Sequence, residues 1–135
     1  IRDREERFEE LGISPRPKGG AIPIWIGVSP EPPVQALERV GRLADGWFTM
    51  CRVDQFESQN RVVLESAERS GRTASEIGVE AEVSIVDMVP DNFMTLVNRW
   101  VDLGVSHISL STLGLEGDSS SHLKQLAKVL KLLDK

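Results

Sequence analysis

The stretch Ile22-Pro23-Ile24-Trp25-Ile26-Gly27-Val28-Ser29-Pro30, carried on by a helical run into Leu43-Ala44-Asp45-Gly46-Trp47-Phe48, decides how the chain folds. Ile22–Ile26 is a short apolar run bounded by turn residues, the pattern of a strand buried on both faces. Gly27 to Glu31 makes a turn, and a helix begins near Pro32. Leu37, Val40, Gly41 and Ala44 share one face of that helix. Asp45-Gly46 marks the next turn, and Trp47 to Met50 reads as a second strand. Strand, turn, helix and strand make one unit of a parallel sheet, with the first turn where such folds bind phosphorylated cofactors.

The same alternation continues outward. Upstream, Asp3 to Glu10 is mostly charged and closes a helix capped at Gly12, and Ser14 to Gly20 is an extended loop. Residues 1–20 are thus an incoming helix end and loop, within one domain spanning 1–135. The chain begins at Ile1 inside a charged run and is expected to be a piece of something larger.

Downstream, Asp54 and Glu57 have capping-box spacing. The helix they open carries Phe56, Val63, Leu64 and Ala67 inside and closes at Gly71, and Thr73 with Glu76 repeats the capping pattern. In Val79 to Val86, Val79, Ala81, Val83 and Ile85 alternate with Glu80, Glu82 and Ser84, the signature of a strand. Pro90-Asp91-Asn92 opens a helix with Phe93, Leu96, Val97 and Trp100 inside, stopping at Gly104. Val105 to Ser111 is a fourth strand. A Gly- and Ser-rich loop, Thr112 to Ser120, leads to a last helix striped by Leu123, Leu126, Ala127, Leu130 and Leu133. The three tryptophans are spaced as core residues.

Four strands alternating with four helices predict an α/β fold of parallel β/α units joined by right-handed crossovers. That is half of a TIM (β/α)8 barrel, which takes about 250 residues; an open doubly wound sheet is the competing architecture. Glu80 and Glu82 suit a barrel lumen near its mouth, a sheet edge or a solvent-exposed face, and do not suit a strand apolar on both sides.

The 135 residues are enough for a real core. A formal net charge of −5 argues against a nucleic-acid partner, and the apolar runs are far shorter than a membrane span. The single cysteine, Cys51, excludes an internal disulfide, fits a reducing, cytoplasmic setting, and reads as a small apolar residue.

Ligands of parallel α/β folds sit at the C-terminal ends of strands. This nominates the loops Gly27–Glu31, Met50–Val53, Asp87–Asp91 and Ser111–Ser121. In the first, Gly27 lets backbone approach a ligand, Ser29 offers a hydroxyl and a helix N-terminus follows; a plain joining turn has the same composition. Pro30, Pro32 and Pro33 have no N–H, which leaves Gly27, Val28, Ser29, Glu31 and the Ser29 hydroxyl as donors. His107 lies on the same side of its strand as Ser109 and Ser111, and His122 reads as a surface residue. No metal-ligand spacing, dinucleotide fingerprint, Walker loop or nucleophile elbow is present.

Pro23-Ile24-Trp25-Ile26-Gly27-x-Ser29-Pro30, Ala36 to Ala44 and Asp45-Gly46-Trp47-Phe48 together resemble the C-terminal half of luciferase-like monooxygenases, in the branch of F420-dependent oxidoreductases. Ser70-Gly71-Arg72, Ile77-Gly78-Val79-Glu80, Leu103-Gly104 and His107-Ile108-Ser109-Leu110-Ser111 agree. The resemblance runs from about Gly12 onward. It implies a (β/α)8 barrel that holds coenzyme F420 or FMN at its C-terminal mouth and transfers hydride between that cofactor and a small organic substrate, or activates oxygen with FMN. It assigns the cofactor phosphate to the turn Gly27-Val28-Ser29; Val28 stands where the family commonly has a second small residue. Glu82, His107 and Ser109 are the implied mouth or lumen positions, and no catalytic residue is assigned. The family's first four β/α units are not in this sequence, so the chain by itself is expected to be inactive and to need a second copy or the N-terminal half-barrel. The alternative is a non-catalytic flavin-binding or self-assembling half-barrel.

Overall fold

In a computed structural model, residues 17–86 and 89–133 are described. The charged run Asp3–Glu10, its cap at Gly12 and the first part of the loop to Gly20 lie outside them, as do Asp87 and Met88 of the third strand-end loop. The elements are β1 (Trp25–Gly27), α1 (Val34–Leu43), β2 (Gly46–Thr49), α2 (Phe56–Arg69), a 3-10 turn (Ala74–Glu76), β3 (Gly78–Ser84), α3 (Pro90–Asp102), β4 (His107–Ser111) and α4 (Ser119–Leu133). The fold is α/β, with four parallel strands and four helices.

The strands lie in chain order, β1-β2-β3-β4, and every pair is parallel. Right-handed crossovers between sequential neighbours put all the helices on one face. Burial agrees: Val79, Ala81 and Val83 of β3 are buried, whereas Glu82 and Ser84 are exposed. A doubly wound sheet needs a reversal of strand order and helices on both faces, so that competitor is not the fold that forms. β3 is central, so Glu80 and Glu82 stand not at a sheet edge but on the face that none of the described elements covers.

The core lies between the covered face and the helices. Leu37, Val40 and Ala44 from the α1 region, Phe56, Val63 and Ala67 from α2, Phe93, Val97 and Trp100 from α3 and Val129 from α4 pack over Trp47, Val79, Ala81 and Val83. Phe56 stacks on Trp47 with ring centroids 6.0 Å apart and meets Trp100 edge-on at 5.4 Å. The helices α1 and α2 approach closely because position 41 has no side chain: a Cβ there would run into the Val63 carbonyl and lie 2.8 Å from the Ala67 nitrogen. Ser66 donates to the Glu38 carbonyl at 2.9 Å across the same contact.

Five expectations need correction. The first strand is Trp25–Gly27, not Ile22–Ile26, and Ile22 and Ile24 are 66% and 60% exposed. Pro23 has no N–H for a ladder, and the Ile24 N–H goes to the Asp45 carboxylate at 2.7 Å. Helix α2 starts at Phe56, and Asp54 does not cap it: its carboxylate is held by Arg52 at 2.7 Å. At the 3-10 turn, the Thr73 hydroxyl meets the Ser75 and Glu76 side chains, with no cap to backbone. In α4 the inward face is Leu126, Val129 and Leu132, while Leu123, Leu130 and Leu133 are exposed. Trp25 is not a core tryptophan; it is half-buried on the uncovered sheet face.

Candidate functional site

Register fixes what the uncovered face presents. Trp25, Gly46 and Gly78 form its first row, and Gly27, Phe48, Glu80 and His107 its second. Glu82 pairs with Ser109 and Ser84 with Ser111 beyond them. Gly27 ends β1 at the level where His107 begins β4, so β3 and β4 rise past the end of β1.

The first row is built around Trp25. A Cβ at Gly46 would lie 2.5 Å from Cε2 of Trp25, and one at Gly78 would lie 2.8 Å from its Cη2. The indole therefore rests flat on two glycines, with its other ring face turned away from the sheet. Phe48 stands beside it, centroid to centroid 5.4 Å and tilted 49°, and His107 meets it edge-on at 5.1 Å and 88°. Ser106 holds His107: its Oγ accepts the Val79 N–H at 2.8 Å, donates to the Val79 carbonyl at 2.9 Å, and lies 2.9 Å from His107 Nδ1. With the hydroxyl proton on the carbonyl side, Nδ1 is the donor in its contact with Ser106.

The turn after β1 separates its three candidate residues. Gly27 is exposed and a Cβ there would meet nothing within 4 Å, and Ser29 is exposed. Val28 is buried in the core, and its N–H donates to the Phe48 carbonyl at 3.3 Å. Its N–H is thus committed inward, a correction to the donor set read from the sequence. Gln59 of α2 donates to the Pro30 carbonyl at 2.8 Å and ties the turn to the helix layer.

The other candidates are scattered along the face. Glu82 is exposed, and Ser109 is half-buried with its hydroxyl 3.5 Å from the Ala81 carbonyl. His122 is not a free surface residue: its Nδ1 lies 2.9 Å from Thr112 Oγ1, at the loop after β4. Cys51 is buried, its Sγ 2.9 Å from Thr49 Oγ1; burial pushes the thiol above its ordinary range, against the hydrogen bond from Thr49. Among the described residues no group of three or more His, Cys, Asp or Glu is placed to hold a metal ion, and no helix is long and apolar enough to cross a membrane. A cavity of about 680 Å³ lies on the helix side between α2 and the end of α3, lined by Phe56, Asn60, Leu64, Arg72 and Leu103. None of the candidates named from the sequence lines it.

Sequence reasoning missed the aromatic corner. Trp25, Phe48 and His107 are far apart in the chain, and only the register brings them together. The one local signal was Gly46 and Gly78, glycines that open β2 and β3 without a positive φ to explain them. No family model matches the chain, and no curated protein matches it.

Proposed function

We propose that the chain is the C-terminal half of a luciferase-like (β/α)8 barrel, an oxidoreductase or monooxygenase that works with coenzyme F420 or FMN on a small organic substrate. The observation that carries this reading is the one-sided sheet: four parallel strands in chain order, helices over one face, and a polar and aromatic opposite face. In a barrel that opposite face lines the lumen. Ser111, the end of β4, lies four residues past His107, which is level with the end of β1. The uncovered edges of β1 and β4 are where further strands would add.

The turn at Gly27–Ser29 fits a phosphate in part. Gly27 leaves room for close approach and Ser29 offers a hydroxyl and an N–H, ahead of the α1 N-terminus; Val28 contributes no donor. Gly27 and Ser29 would hold the cofactor phosphate, and the bound (deaza)flavin would supply the hydride chemistry. The chain's own part is to bind and orient the group and to line the lumen with Glu82, His107 and Ser109.

Native mass spectrometry of the chain with FMN and with coenzyme F420 tests this. One cofactor per barrel-forming unit is expected. Ser29→Ala should weaken binding about fivefold, the loss of one hydrogen bond worth about 1 kcal/mol. Equal affinity in the variant would remove Ser29 from the site.

A further inference from the structure

We propose that the uncovered sheet face carries a binding box for a small methylated organic cation, built from Trp25, Phe48, His107 and Glu80. The floor is the outward face of the Trp25 indole, held flat by Gly46 and Gly78, at which a Cβ would lie 2.5 Å and 2.8 Å from the ring. Phe48 on β2 and His107 on β4 rise on either side, at 5.4 Å and 5.1 Å from the indole and inclined to it by 49° and 88°. Glu80 on β3 stands between these walls, because it is the register partner of both Phe48 and His107.

The face is electrostatically one-sided. Its strand positions hold Glu80 and Glu82, and none of them is a lysine or arginine. Ring faces attract cations through their quadrupole, most strongly in the order Trp, then Tyr or Phe, and a nearby carboxylate adds to that attraction. Angled aromatic walls with one carboxylate suit a diffuse, methylated ammonium better than a compact one that needs several hydrogen-bond acceptors. Phe48 is 39% exposed and His107 is exposed, so the box is open to such a ligand. The box adjoins the Gly27–Ser29 turn, Gly27 being the register partner of Phe48, but its aromatic and carboxylate groups are not those of the turn, and it stands whether or not that turn takes a cofactor.

Choline and its neutral isostere 3,3-dimethylbutan-1-ol test this directly. Trp47 and Trp100 are buried, at 0% and 3% exposure, so ligand-dependent change in tryptophan emission reports Trp25. Choline should change the emission saturably in the millimolar range, and the alcohol should not. Phe48→Leu, which removes one aromatic wall, and Glu80→Gln, which removes the carboxylate charge, both at positions away from the core, should each weaken choline about fivefold, with unchanged far-UV circular dichroism. Equal binding of choline and the alcohol, no saturable response to choline, or full choline affinity in both variants would each overturn the proposal.

Discussion

At Gly46 an added methyl would lie 2.5 Å from Cε2 of Trp25 and within 2.7 Å of two further indole atoms. The indole cannot move toward the sheet, so it must swing off it and give up its contacts with Phe48 and His107. Gly46→Ala should destabilise the protein by about 1–3 kcal/mol, the usual cost of overpacking, measured by urea unfolding. In a Trp25→Ala background the same change should cost much less, because the colliding ring is gone; equal costs would mean the two sites are not coupled. Residues such as these were the least legible in the sequence. Asp45-Gly46 reads as turn punctuation, but Asp45 clamps the start of β1 through the Ile24 N–H, and Gly46 makes room for a ring 21 positions earlier. Both roles depend on register, which no local pattern encodes. Cys51 was legible, since a lone cysteine with no histidine or second cysteine nearby reads as a small apolar residue, and it is buried.

Helix α4 depends on Asp118. Its Oδ1 accepts the Ser121 N–H at 2.9 Å and the Ser121 hydroxyl at 2.8 Å, an N-terminal cap that the loop reading of Thr112–Ser120 passed over. These bonds hold the Asp118 carboxyl below its usual range, the backbone bond being the larger cause. A carboxyl lowered in the folded state favours folding above its unfolded pKa, and that advantage disappears as pH falls through the folded value. Protection of the Ser121 amide from hydrogen exchange should therefore hold at neutral pH and drop in acid below the ordinary carboxylate range. The Ser121 N–H also donates to the Asp118 carbonyl at 3.0 Å, so Asp118→Ala should lower its protection at neutral pH to the level seen in acid without abolishing it; protection unchanged by that substitution would rule the cap out. The strands and helices with strong periodicity were legible: β3 buries Val79, Ala81 and Val83, and α3 buries Phe93, Val97 and Trp100, as their spacing predicts. The face of α4 was not. Its leucines recur at several phases, so which stripe turns inward is decided by packing on α3 and not by the pattern.

Among the described residues, the molecule is a sheet with helices on one side. Strict alternation along the chain was enough to predict parallel strands. Sequential strand order was not readable, since the same string of elements also fits a doubly wound sheet; crossover geometry decides between them. The Gly27–Ser29 turn could be named from the sequence because its composition is local, and the aromatic corner was missed because its members lie on three strands. The central claim is that this turn receives a cofactor phosphate beside a lumen-like face. Amide chemical-shift mapping by ¹⁵N NMR, with FMN and coenzyme F420 titrated into the chain, tests it most directly. Saturable shifts centred on Gly27, Ser29 and Glu31, weakened in Ser29→Ala, are the expected result. Shifts centred elsewhere, or none at millimolar cofactor, would contradict it.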